Sequence, residues 1–210
     1  MKLLGLLRRS DPPARNKVVA MSQPVQEEVA LVNGLIARDP TSVAQLFDQY
    51  HDLARGTAIR VLGSPTDADD LVQESFLIVI DKVGELRKPE ALGNFIVSVV
   101  VRLARNELRK RAVRRFVQLG ESHPIVLRED ADPAEREQIE AIYRVLDRLD
   151  ANNRILFVLR YVEGWELTDL AHAQNCSLAT VKRRLTKANK RFRAIASREP
   201  ALCDYLEEQP

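Results

Sequence analysis

The sequence predicts an all-α protein made of two small helical domains joined by a flexible linker. Three observations predict it. Gly is scarce, at eight in 210 residues, and aromatics make up 5%, a composition that favours helices over a sandwich or barrel. Apolar residues return at intervals of three and four through most of the chain, the spacing of one buried helical face. Pro, Gly and Asp break that pattern into helix-length pieces, and one patternless stretch sorts the pieces into two groups.

Residues 1–24 hold three Pro and scattered bases and read as a loose leader, to which no structure is assigned. From Gln26 the period becomes helical, with Val29, Val32, Leu35 and Ile36 on one face. "DPT" at 39–41 ends this helix and starts the next, with Thr41 the expected cap and an apolar stripe of Val43, Leu46, Phe47, Tyr50, Leu53, Ala54 and Ala58. "GSPTD" at 63–67 breaks again. Thr66 is the expected cap of a third helix that buries Val72, Phe76, Val79 and Val83. "GELRKPEALGN" at 84–94 reads as a loop. A long helix is expected from about Phe95 to about Arg115; its β-branched start, "IVSVVV", allows a strand locally, and the continuation "RLARNELRKR" favours helix.

"VQLGESHPIVLREDADP", 117–133, has no clean period and reads as the linker. The second helical block starts near Ala134. Ile139, Ile142, Tyr143, Leu146 and Leu149 form one buried face, and Ile155, Leu156, Val158, Leu159 and Val162 the next. "EGW" punctuates at 163–165, a short helix follows from about Leu167 to Gln174, and "NCS" leads into the last helix. The expected divisions are therefore a leader 1–24, a domain 25–116, a linker 117–133, a domain 134–196 and a tail 197–210. With nothing but a loose linker between them, the two domains are expected to move independently.

Charge is nearly balanced overall, 32 bases against 30 acids, yet strongly segregated. "NCSLATVKRRLTKANKRFR", 175–193, carries seven Lys or Arg and no acid. "RLARNELRKRAVRR", 102–115, carries seven bases and only Glu107. Asp67, Asp69, Asp70, Glu74, Asp81 and Glu85 cluster where the only base is Lys82. Such asymmetry points to two kinds of partner, one anionic and one not.

In the last helix Val181, Leu185, Ala188, Phe192 and Ile195 make the buried stripe, so Lys182, Arg183, Thr186, Lys187 and Lys190 face away from it. Ser177 stands at the cap. A short helix with Leu167, Leu170 and Ala171 inward, a tight turn and a capped basic helix form the helix-turn-helix pattern that sets a helix in the DNA major groove. Lys and Arg there supply phosphate contacts or bidentate contacts to guanine. A basic helical face can also be merely solvated; the preceding helix and turn weigh against that here. Two basic helices in separate domains suggest contact with two separated parts of one nucleic acid.

On these residues the chain resembles the bacterial sigma factors of the extracytoplasmic-function group. "LFDQYHDLARGTAIRVLGSPTDADDLVQESFLIVIDKV", with Asp67 to Glu74 at its heart, and "RLARNELRKR" resemble sigma domain two. "LDANNRILFVLRYVEGWELTDLAHAQNCSLATVKRRLTKA" resembles sigma domain four. The resemblance implies binding to core RNA polymerase and promoter DNA, with no cofactor and no metal. It implies that Asp69, Asp70, Leu71, Gln73 and Glu74 dock on the polymerase clamp helices. It assigns Asn94, Arg102, Arg105, Asn106, Arg109 and Lys110 to the −10 element, with the loop at 85–94 holding an extruded base. It assigns Lys182, Arg183, Thr186 and Lys187 to the −35 element, with Arg184 and Lys190 on phosphates. The linker would cross near the polymerase active site. An anti-sigma factor is a further implied partner. Two departures stand out: Val99, Val100 and Val101 occupy a stretch where the family usually has an aromatic, and Glu166 replaces a small hydroxyl cap.

Other classes fit less well. No metal spacing, phosphate-cradling Gly loop or paired His and nucleophile is present, which argues against an enzyme. A repressor or activator would share the second domain and lack an acidic docking helix in the first. An adaptor that binds polymerase without melting DNA stays open, because melted strands favour aromatic stacking platforms. Trp165 and His172 read as core packing and surface rather than ligands, and Cys176 as an ordinary small residue of the turn. Cys176 and Cys203 lack zinc-finger spacing, the apolar start is too short for a signal peptide, and no stretch reaches membrane-spanning length; a reduced, cytoplasmic chain without membrane insertion is expected.

Overall fold

A computed structural model describes residues 25–117 and 132–203. The linker stretch 118–131, the leader and the end of the tail lie outside the described residues. Among those described there are eight α-helices and no strand, as the all-α reading requires.

The first four helices pack around each other. α1 spans Val25–Ile36 and α2 spans Pro40–Leu62. The inward line of α1 is Glu28, Leu31, Val32 and Leu35, whereas Val29 and Ile36 face solvent, which corrects the expected stripe. The helix ends on Arg38 in the left-handed region, φ 57. The Arg38 amide returns to the Leu35 carbonyl and the Asp39 amide to the Gly34 carbonyl, the paired closure that satisfies the last orphan carbonyls. Asp39 then caps α2, accepting from the Ser42 amide at 2.9 Å with Pro40 in the first turn, so Thr41 is not the cap. Ser64 likewise caps α3, Pro65–Lys82, with Pro65 in the first turn, in place of Thr66. The reason is common to both: Pro lacks an amide proton and fits just inside a helix start, so the cap is the residue before it.

The α2–α3 corner turns on Gly63, φ 72, whose amide closes on the Ile59 carbonyl. A Cβ there would sit 2.8 Å from the Tyr143 ring, so glycine is required both by the left-handed backbone and by close approach. The stretch read as a loop contains two short 3-10 turns, Val83–Glu85 and Pro89–Ala91, and α4 already starts at Leu92, running to Val117. Ile96, Val97, Val99, Val100 and Val101 are all within the core. A helix that is apolar all round must be covered all round. α4 is the central helix, packed on α2 and α3 on one side and on the C-terminal helices on the other. Burial there outweighs the modest helix cost of a β-branched run.

The C-terminal helices are α5, Pro133–Leu146; α6, Ala151–Phe157; α7, Leu167–Ala173; and α8, Leu178–Ala196. Asp132 and Asp150 cap the first two. α6 widens into a π-helical turn over Val158–Val162 and stops at Gly164, φ 78, the break anticipated at "EGW". Both predicted apolar faces are buried, and Phe157 stacks on Phe192 of α8 with centroids 4.4 Å apart.

Against the expectation of independent bodies, the two groups of helices share a seam. Glu163 forms a buried ion pair with Arg60 of α2. Arg154 of α6 donates to the Val61 carbonyl at 2.7 Å, pairs with Asp147, and lies 5.9 Å over the Tyr143 ring. From within the first group, Arg111 of α4 donates to the next carbonyl, Leu62, at 2.8 Å and pairs with Asp67. Two cations thus meet the end of α2, where the helix dipole is negative. Burial pushes the Arg154 guanidinium below its ordinary pKa, with Asp147 opposing, and pushes the Tyr143 phenol up to about 12.

Candidate nucleic-acid and protein interfaces

The helix-turn-helix is built as the sequence reading expects, and the turn has a definite chemistry. α7 ends on Asn175, φ 46, a residue type that tolerates the left-handed region. The Asn175 amide closes on the His172 carbonyl and the Cys176 amide on the Ala171 carbonyl. Ser177 then caps α8, its hydroxyl accepting from the Thr180 amide at 3.2 Å. α7 starts without a side-chain cap at Glu166, whose carboxylate instead lies 3.6 Å from Arg160.

On α8 the stripe Val181, Leu185, Ala188 and Phe192 is buried, with Ile195 half-buried. Lys182, Arg183, Thr186, Lys187 and Lys190 are exposed together on the opposite side. Arg184 is half-buried, and its charge acts on Arg105 of α4.

On α4, Arg102, Asn106, Arg109 and Lys110 are exposed and recur at helical spacing, while Arg105 is half-buried and donates to the Gln174 side chain at 2.5 Å. Burial, then the charges of Arg109 and Arg184, push the Arg105 pKa down. Asn94 belongs to the first turn of α4 and is exposed. Together with Leu86, Phe95 and Ser98 it borders a cavity of about 350 Å³ whose other wall is Trp165, Asp169 and His172. Phe95 is the one aromatic between Leu86 and Arg115 and it stands at this cavity.

The acidic helix presents one outward line: Asp70, Gln73, Glu74, Leu77 and Asp81. Leu77 is 70% exposed. The sequence reading passed over it, although its place between Glu74 and Asp81, opposite the Val72–Phe76–Val79 face, puts it outside. Asp69 is half-exposed and salt-bridged to Arg55 at 2.7 Å. Leu71 is 6% exposed and forms the floor, with Leu103, of a groove of about 530 Å³. Asp70 and Glu74 rim that groove on the α3 side, and Arg109, Lys110 and Arg114 on the α4 side. An acidic face and a basic face therefore meet along one edge of the molecule.

Fold and charge together are those of a helix-turn-helix DNA-binding protein that also carries a separate acidic face. The sequence pattern of sigma-70 region 2 matches residues 46–114, and that of sigma-70 region 4 matches residues 139–192, together more than half of the chain. The sigma factor SigM of Mycobacterium tuberculosis, of the ECF class, is 25% identical over 80% of this chain and 83% of its own. The ferric citrate uptake sigma factor FecI of Escherichia coli is 26% identical over 68% of this chain and 84% of its own. Among solved structures, CnrH in complex with the cytosolic domain of CnrY matches with a TM-score of 0.55 at 20% identity, over 79% of this chain and 94% of that one. RpoE from Bartonella quintana, in complex with the anti-sigma factor NepR, matches with a TM-score of 0.55 at 19% identity, over 83% of this chain and 96% of that one.

The chain belongs to the extracytoplasmic-function group of RNA polymerase sigma factors. It binds core RNA polymerase and directs promoter-specific initiation of transcription at −10 and −35 elements. No helix among the described residues is long and apolar enough to cross a membrane.

Proposed function

We propose a division of these tasks among named side chains. Asp70, Gln73, Glu74 and Leu77 of α3 meet the polymerase clamp helices, with Leu71 at the floor of the groove and Asp69 at its margin, held by Arg55. An acidic line with an exposed leucine at its centre is repelled by DNA and suits a basic protein groove. Arg102, Arg105, Asn106, Arg109 and Lys110 meet the −10 element. Asn94, beside the cavity at Phe95, holds an extruded base. Lys182, Arg183, Thr186 and Lys187 read the −35 element from the major groove, with Lys190 and Arg184 on phosphates.

The observation that carries this division is the separation of charge by face: one exposed acidic line on α3 and two exposed basic lines on α4 and α8. The chain acts by binding and supplies no catalytic group of its own, and its place of action is the cytoplasm, where polymerase and promoter are. It also has an inhibitory protein partner. RpoE, which shares its fold, was solved with the anti-sigma factor NepR, and CnrH with the cytosolic domain of CnrY.

Reconstituted transcription with core polymerase and a genomic promoter pool tests the division. Start sites above core-only background are expected from the wild type and fewer from Glu74→Lys. A Glu74→Lys variant that initiates as well as the wild type removes the α3 assignment.

A further inference from the structure

The outward face of α3 is left uncovered. Asp70, Gln73, Glu74, Leu77 and Asp81 are exposed in one line, and Leu77 is the most exposed large apolar side chain among the described residues. A second exposed apolar residue, Ile36, ends α1 two positions before Arg38, which reaches Asp81 at 3.7 Å. Of the acids on this line, only Asp81 has an ion-pair partner among the described residues. A segment that covers this face has to bring apolar area and positive charge together.

The chain carries such a segment. Residues 1–24 hold five bases and one acid, and no further acid occurs before Glu27. Within them "LLGLLRR", 3–9, sets four Leu beside Arg8 and Arg9. This leader lies outside the described residues and enters α1 at Val25. From Arg9 to Val25 the backbone spans at most about 55 Å. α1 is about 18 Å long and α3 about 27 Å, and Arg38 and Asp81 tie the end of one to the end of the other. Even the far end of α3 is within the leader's span.

We propose that the leader, through Leu3–Arg9, docks on the outward face of α3 of its own chain and competes there with core polymerase. Recognition is by both terms at once: leucine against Leu77 and Ile36, guanidinium against Asp70 and Glu74. The competition rests on the α3 assignment of the preceding subsection; the contact between leader and α3 does not.

Neither term is strong alone, since exposed ion pairs add little and salt screens them. Tethering supplies the rest. It presents the leader at roughly millimolar effective concentration, so a contact with an intrinsic Kd of about 0.2 mM is formed about four-fifths of the time. Core polymerase then meets an uncovered α3 in about one chain in five, and its apparent affinity falls by that fraction. DNA is the other natural partner of a basic segment. It offers nothing to four leucines, and the chain already displays two basic lines on α4 and α8.

Two measurements on the full chain test the proposal. A benzoylphenylalanine in place of Leu6 is irradiated, and the cross-links are mapped after trypsin, which releases α3 whole within residues 61–82. The cross-link is expected in 61–82, within one chain when isotope-labelled and unlabelled chains are mixed, and is expected to vanish when core polymerase is added. The Arg8→Glu, Arg9→Glu variant should bind core polymerase roughly fivefold more tightly than the wild type at about 0.1 M salt. The ratio should fall toward one at about 0.5 M.

Cross-links confined to other surfaces, or joining two chains, overturn docking within the chain. A charge-reversed leader with unchanged or weaker affinity for core polymerase overturns the competition. Loss of promoter-duplex affinity in that variant, at unchanged core affinity, makes the leader a DNA arm instead. Failure of the α3 assignment reads differently: the cross-link to 61–82 then persists with core polymerase bound. Failure of the docking removes the cross-link and leaves initiation by Glu74→Lys still reduced.

Discussion

Lys182 and Arg183 stand next to each other near the start of α8, exposed, one turn after a capped helix start. In that position a side chain reaches base edges, whereas one further along reaches phosphate. Lys182→Ala or Arg183→Ala should relax preference at the −35 element by about 1–3 kcal/mol for each lost base contact, measured as the difference between matched and mismatched promoters. An equal loss on every duplex would assign the residue to phosphate instead. At the other end of the molecule Glu28 is buried beside Tyr50, and burial, then the Glu90 charge, holds its pKa above the ordinary 4.5. Burial, then the Glu28 charge and the hydrogen bond to Glu28, push the Tyr50 pKa up to about 12. The folded chain binds the Glu28 proton more tightly than the unfolded chain does, so this residue's contribution to stability falls as pH rises from below 4.5 through the raised value. Glu28→Gln should therefore melt higher than the wild type at pH 7, with the two midpoints converging in acid. A gap that stays constant with pH would show that the charge is not the cause.

At the scale of elements, the apolar periods of α2, α3, α5 and α8 were legible because each helix buries one face and the sequence repeats that face every three or four residues. The ends were less legible. Thr41 and Thr66 look like caps in isolation, yet Pro40 and Pro65 place the caps at Asp39 and Ser64. The α8 cap at Ser177 was readable because no Pro follows it. Ser177→Ala should cost about 0.5–2 kcal/mol in a urea titration, the usual worth of such a cap, without changing the fold. On α3 the acidic motif points to Asp70, Gln73 and Glu74 of the outward line, while Leu77, an apolar residue between acids, carries no charge signal to mark it. Leu77→Asp should leave the melting temperature within about 1–2 °C, as exposed substitutions do. It should weaken co-migration with core polymerase in low-salt gel filtration. A destabilised variant would place Leu77 in the fold and not on the docking line.

At the scale of the whole molecule, a contiguous apolar core extends from α1 to the Pro200–Leu202 turn and includes residues of both helix groups. Calorimetry of the free chain should accordingly show one transition whose van't Hoff and calorimetric enthalpies agree. Two resolved transitions would mean that the seam adds little to stability. The apolar run from Ile96 to Val101 belongs to this scale as well. It is ambiguous as a segment, and it becomes a helix because neighbours cover it on every side. Val99, Val100 and Val101, found where relatives of this group usually carry an aromatic, are core residues here. Between Leu86 and Arg115 the one aromatic is Phe95, which lines the cavity.

By itself the sequence determined that the chain is helical, that its recognition helix is capped and basic on one face, and that its acids and bases are sorted onto different helices. Each of these is local: it is written in spacings of three and four or in neighbouring residues. Only the tertiary structure decided that the two halves lie against each other. That contact depends on single polar residues such as Arg60 and Glu163, which are 103 positions apart. A pair of that kind leaves no period to read, because its energy comes from burial in the folded chain and not from any local propensity.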